Sequence, residues 1–150
     1  IYFSMGALNR ISASDAKMMT PMELRSVVGT RFGDRFVLRG VKIDRDQSGI
    51  HIDFAWESLV KQELLYTNAI HLTDTNGNIL AQADYNQPFN RLAVKQGTIW
   101  KDSIVITSDR LKGDESKLAI ALFPKNHPEG ILLIDRGDRD WGDRRMLIDL

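Results

Sequence analysis

The chain has no cysteine, only four prolines and no excess of either charge, since 20 Lys and Arg are matched by 20 Asp and Glu. The absence of thiols excludes a disulfide framework, a thiolate nucleophile and a zinc site built on sulfur. The charge balance excludes a protein that holds nucleic acid or anionic lipid through a general positive field. The longest apolar runs, such as Ile131-Leu132-Leu133-Ile134, fall far short of the roughly 20 residues that cross a bilayer as a helix, so no transmembrane segment is expected. The chain opens on Ile1, and residues 1 to 8 carry neither a basic flank nor a cleavage motif. They read as a remnant, or as the trailing edge of a preceding segment such as a membrane helix.

What is present is the material of one ordered domain. At 150 residues, with 43% apolar and 27% charged positions, the chain is long enough to build a core and too apolar to stay disordered. Residues 1 to 19 show no period. Thr20-Pro21-Met22-Glu23 has the form of a capping box, with Thr20 as cap, Pro21 in the first helical position and Glu23 reaching back. A short helix is therefore expected over residues 21 to 28, with Leu24, Val27 and Val28 on one face and Gly29 as its left-handed end. Residues 1 to 29 form an N-terminal extension, and residues 30 to 150 the main domain.

From Asp34 the apolar period becomes two. Phe36 and Leu38 keep one parity and Val41 and Ile43 the other, which predicts a single long strand bent by a bulge at Gly40. Ile50, Ile52, Phe54 and Trp56 alternate with His51, Asp53, Ala55 and Glu57, so the first set faces a core and the second mostly solvent. Residues 64 to 73 and 78 to 85 flank Asp74-Thr75-Asn76-Gly77, a hairpin signal in which Asn-Gly supplies positive φ angles. Further strands are expected near 103 to 108, 117 to 123, 130 to 135 and 145 to 150. About eight short strands with almost no helical period predict an all-β antiparallel sandwich, immunoglobulin- or fibronectin-like first and jelly roll second, because spacing does not give strand order.

Candidate chemistry is sparse. Asp44, Asp46 and Ser48, followed by Gly49, match the opening half of a calcium loop, but Ala55 stands where the bidentate Glu belongs and a strand follows, so an ordinary turn is the competing reading. His51, His71 and His127 lie in different elements outside any zinc-hydrolase spacing. His71 reads as a hydrogen-bonded strand residue. Asp135, Asp138, Asp140 and Asp143 interleave with Arg136, Arg139, Arg144 and Arg145 around Trp141, the pattern of a solvated loop tied by surface ion pairs. Arg136-Gly137-Asp138 spells an adhesion tripeptide too short to carry a claim. No Gly-x-Ser-x-Gly elbow and no phosphate-cradling loop occur, and no cofactor is expected. Tyr85, Phe89, Trp100 and Trp141 fall at strand ends or in loops, where an aromatic face stacks on a sugar ring or plugs the end of a sandwich. The parity of Trp56 places it in the core.

One resemblance joins several of these residues. Trp56-Glu57, the run from Leu65 to Asp84, Gln96-Gly97 and Asp102 are similar to a β-sandwich domain appended to bacterial polytopic membrane glycosyltransferase-like proteins, over residues 30 to 123. Leu38, Gly40, Asp44 and Trp56 match its opening pattern, Tyr66, Thr67, His71, Leu72, Asp74 and Gly77 its central one, and Gly97 and Asp102 its last. Val94 or a neighbour replaces a Trp of that pattern and Lys117-Leu118-Ala119 a Gly-x-Tyr, so no binding role of those aromatics carries over. The resemblance implies an accessory domain on the extracytoplasmic side of a bacterial membrane, beside helices that perform lipid-linked sugar chemistry. It assigns no catalytic residue, and marks Trp56, His71 and Gly77 as fold positions. The leading expectation is thus a noncatalytic module that binds or positions a glycan, a lipid-linked sugar or its own membrane domain. The rivals are a glycan-active enzyme using Asp138 with Asp140 or Asp143, and a structural spacer or dimerisation module.

Overall fold

The computed structural model describes residues 8–87 and 94–150. In chain order the strands are β1 (Thr30–Phe32), β2 (Phe36–Asp46), β3 (Gly49–Ser58), β4 (Tyr66–Thr73), β5 (Ile79–Gln82), β6 (Tyr85–Asn86), β7 (Ile99–Thr107), β8 (Lys117–Pro124), β9 (Arg139–Asp140) and β10 (Arg145–Asp149). They form an all-β sandwich. One antiparallel sheet runs β1-β2-β3-β7 and the other β5-β4-β8-β10-β9, with β6 also paired to β4. Among the described residues no helix is long and apolar enough to cross a membrane.

The two-residue period builds this core as expected. Ile50, Ile52, Phe54 and Trp56 of β3 are fully buried against Ile70 and Leu72 of β4 and Leu118, Ile120 and Leu122 of β8. Fully burying each such side chain contributes about 1.5–3 kcal/mol. The rings pack edge to face: Phe32 lies 5.1 Å from Trp56, and Phe36 lies 5.0 Å from Tyr66 and 6.3 Å from Trp100. The bulge in β2 falls where the parity changes, the register passing from Leu38↔Trp56 to Gly40↔Ala55. Arg39 is the extra residue, and its Nε donates to the Glu57 carboxylate at 2.6 Å.

The N-terminal segment differs from the sequence-based expectation. The α-helix is α1 (Ala13–Met19), capped by Ser12, whose hydroxyl accepts from the Asp15 amide at 3.0 Å. Residues Met22–Val27 form only a 3-10 turn, and Pro21 stands outside it with ψ 158°. Thr20 does not cap that turn, because its hydroxyl is used elsewhere: it donates to the Ala16 carbonyl at 3.0 Å and accepts from the Val41 amide at 3.1 Å. Ala16 is the one buried residue of α1. The helix docks by a close backbone approach to Gly40, not by an apolar stripe, which is why no period marks it. Upstream, Asn9 and Ile11 bond to Lys101 and Ile99 of β7, so the segment spans the outer face of the first sheet.

Three further expectations shift. Ala55 is buried, beside the Gly40 contact, instead of facing solvent. In the hairpin, Gly77 alone has positive φ (83°), and the Asp74 carboxylate orders the turn by accepting from the Asn76 and Asn78 amides at 2.9 and 3.0 Å. Residues 130 to 135 form no strand. They are an extended connection with a single bridge, Phe32↔Ile134, and with Leu133 pointing outward.

The Gly40 approach is testable. A β-carbon there would stand 2.3 Å from the Ala16 carbonyl oxygen, so Gly40→Ala must push α1 off the sheet. The expected loss is about 2 kcal/mol in urea denaturation, together with new amide exchange in residues 12 to 20; unchanged stability would show that α1 does not dock there.

Candidate functional site

Because Ile70 and Leu72 of β4 face the core, Ala69 and His71 face the other way, opposite Ala121 and Ala119 of β8. Small residues on that outer face leave a trough. The connection from β8 to β10 folds back across it, with left-handed backbone at Asn126, Trp141 and Asp143. The result is a hollow of about 360 Å³. Ala69 and Phe123 floor it, Pro128, Ile131 and Trp141 wall it, and His71, Asp84 and Arg144 supply its polar groups. That size lies in the range of small-ligand sites.

Arg145 holds this loop down. Its side chain is 1% exposed and bonds both oxygens of Asp140, through Nε at 2.8 Å and Nη2 at 2.6 Å. Nη2 also reaches the Gly77 carbonyl at 3.4 Å, and Nη1 lies 3.2 Å from His71 Nδ1. A guanidinium only donates, so Nδ1 accepts and the His71 proton resides on Nε2. With the proton on Nε2, the Gln82 side-chain amide 3.2 Å away must turn its oxygen toward the ring to accept, and Asp84 Oδ1 stands 3.7 Å off. Burial keeps the His71 pKa below its usual value; Asp84 opposes that shift and Arg145 adds to it. The guanidinium carbon also stands 4.0 Å over the Trp141 ring, whose centroid is 5.4 Å from that of His71. Trp141 has φ 56°, a conformation that costs an L-residue on the order of 1–2 kcal/mol. The stack against Arg145 offsets that strain, and Trp141 as a residue stays 49% exposed.

The reading of the 135 to 145 segment as a solvated loop tied by surface ion pairs holds except at Arg145, the one buried residue of that stretch. Arg136–Asp135 at 3.4 Å and Arg139–Asp143 at 3.7 Å are surface pairs, but the Arg145–Asp140 pair is buried on the arginine side. The alternation of Met146 and Ile148 places Arg145 on the outer face; only the returning loop buries it, and no local pattern reports that.

The other predicted residues lie apart. Trp100 is fully buried on β7, register partner of Trp56, and presents no face to a ligand. Phe89 lies outside the described residues. Tyr85 is half-buried on β6 and uses its hydroxyl internally, donating to Asp102 Oδ2 at 2.8 Å and accepting from Asn68 Nδ2 at 2.5 Å. Asp102 is 7% exposed on an inward position of β7, so this bond links the two sheets. Burial pushes its carboxyl up to about 6 against the lowering effect of Tyr85 and Trp100. In the calcium candidate, Asp46 Oδ1 accepts from the Ser48 amide at 2.8 Å, the Ser48 hydroxyl at 2.6 Å and His51 at 3.1 Å, which holds its carboxyl at about 2. Asp44 instead lies 3.5 Å from Lys42. These are the contacts of an ordered turn, and among the described residues no three metal-ligating side chains come together. His127 pairs with Glu129 at 3.0 Å on the surface. Asp138 lines a separate cleft with Arg136 and Glu23.

No family model matches the chain, and no curated protein and no solved structure matches it.

Two measurements check this geometry. Arg145→Met strips Asp140 of its partner and Trp141 of its stack, so stability should fall by about 3 kcal/mol and acrylamide quenching of Trp141 should rise; a loss below about 1 kcal/mol would mean that the pair behaves as a surface one. For Asp102 the folded pKa lies above the unfolded one, so its contribution is full below about pH 4 and is lost as pH rises through about 6. The stability difference between the parent and Asp102→Asn, which cancels other titrating groups, should therefore shift by on the order of 3 kcal/mol across that window in favour of the variant. A difference constant with pH would refute the buried-acid assignment. His71 acts in the opposite sense: its depressed folded pKa costs stability as pH falls below about 6.5.

Proposed function

We propose that this domain is a noncatalytic sugar-binding module, an accessory on the extracytoplasmic side of a bacterial membrane glycosyltransferase-like protein, and that the hollow on the second sheet is its binding site. The observation that carries the reading is Trp141: a half-exposed tryptophan, in a strained backbone conformation, backed by a buried guanidinium and facing an apolar floor with polar groups beside it. A sugar ring has an apolar C–H face that packs on such an indole and hydroxyls that need partners around it. Strain retained in a loop at a concave site points to function.

The placement beside membrane glycosyltransferase chemistry rests on the resemblance stated above. Its central motif bears on the hollow, since the His71 ring and the Gly77 carbonyl both accept from Arg145. The noncatalytic part of the reading draws on the carboxylates that a glycosidase would need. Asp140 has both oxygens bonded to Arg145, Asp143 stands 3.7 Å from Arg139, and Asp138 belongs to the other cleft.

Trp56 and Trp100 are fully buried, so ligand-induced change in the acrylamide-quenchable fluorescence reports on Trp141. A glycan array followed by titration of the hits should show that change, and Trp141→Ala should weaken binding roughly tenfold or more. Full affinity retained in that variant, or no glycan captured at all, would overturn the proposal and leave a structural spacer as the better account.

A further inference from the structure

The polar groups of the hollow define the kind of sugar it takes, an inference that rests on the sugar-binding reading above. We infer that the ligand is an uncharged sugar ring, whose neighbouring hydroxyls are read by Asp84 as acceptor and Arg144 as donor.

Both side chains are anchored by one atom and open at another. Asp84 Oδ1 accepts from the Ile70 amide at 2.9 Å and faces the His71 ring, while Oδ2 has no hydrogen-bond partner among the described residues and the side chain is 37% exposed. Arg144 Nη1 donates to the Gly142 carbonyl at 3.1 Å, while Nη2 and Nε have no partner among the described residues. One backbone hydrogen bond on each side chain restricts its rotamers before a ligand arrives, which lowers the ordering cost of binding.

The charges around the hollow then decide the class. Asp84 and Arg144 contribute one charge of each sign. His71 is neutral, because Nδ1 accepts from Arg145 and a second proton would face that guanidinium. Arg145 is matched by Asp140 behind it, and on the β8 side His127 is paired with Glu129. A uronate carboxylate that pairs with Arg144 still lies beside Asp84, and an ammonium that pairs with Asp84 still lies beside Arg144, so either charged ring leaves one net charge at a hollow whose own charges already balance. A vicinal diol offers both a donor and an acceptor and leaves neither charge unmatched.

The test uses three probes on the intact domain: a methyl hexoside, the corresponding methyl uronide and the corresponding 2-amino-2-deoxy glycoside. Binding is followed by the Trp141 indole resonance in NMR titrations. The neutral ring should bind at least about tenfold more tightly than either charged analogue. Asp84→Asn keeps an oxygen for the Ile70 amide but turns the open acceptor into a donor, and Arg144→Met keeps the stem but removes the donors. Each should weaken the neutral ring by about tenfold or more, the first narrowing the deficit of the uronide and the second that of the amino sugar. A charged analogue that binds as tightly as the neutral ring, or two folded variants with parental affinity, would overturn the inference while leaving sugar binding in place. Silence of the Trp141 resonance towards all three probes would overturn both the inference and the reading beneath it.

Discussion

A guanidinium taken out of water must find partners for its N–H groups, and Arg145 meets that demand by gathering four groups from three pieces of chain. Asp140 from β9, the Gly77 carbonyl from the β4–β5 turn, the His71 ring from β4 and the face of Trp141 all converge on it. None of these contacts is local in β10 alone. The returning loop is held at its start by its own apolar residues, with Ile134 buried in the core and Leu132 packed against it, while its far end, at Asp140 and Trp141, is tied to β4 by this cation. The tautomer of His71 and the pose of Trp141 follow from that tie.

The interior carries a second buried polar group with the opposite sense. Asp102 links the sheets through Tyr85 and Asn68, and its raised pKa shows that charge is disfavoured there. His71 is also held neutral by its surroundings. One group binds protons more readily in the folded state and the other less, so their pH dependences oppose each other over the mildly acidic range.

Much of the scaffold was legible in the residues. The parity switch at Gly40 located the β2 bulge, the strict alternation from Ile50 to Trp56 located the core face of β3, and Asn76-Gly77 located a turn. These signals are local, since each depends on neighbours one or two positions away along an extended chain. Thr20 was misread for the complementary reason: its motif is a capping box in sequence, but its hydroxyl bonds to Ala16 and to the bulged strand twenty-one residues on. The missed helix docks through the absence of a side chain at Gly40, which produces no hydrophobic period.

Of the candidate site, Trp141 was singled out as an aromatic in a loop, and Arg144 and Arg145 only as members of the charge alternation around it, a pattern that does not tell the buried Arg145 from its exposed neighbours. Trp100, chosen on the same ground as Trp141, begins a strand and lies in the core, and Asp84 gave no signal of its own. By itself the sequence determined a single β-sandwich with its core residues, the absence of thiol chemistry and the absence of a helical membrane span, because composition and two-residue periodicity act through local geometry. Tertiary structure alone decided which charged residue is buried, which aromatic stays exposed and which side chains share a hollow. Those outcomes depend on a loop folding back over a sheet from residues far away in the chain, and the free energy of a buried charge or a stacked ring is set by what surrounds it, not by its place in the sequence.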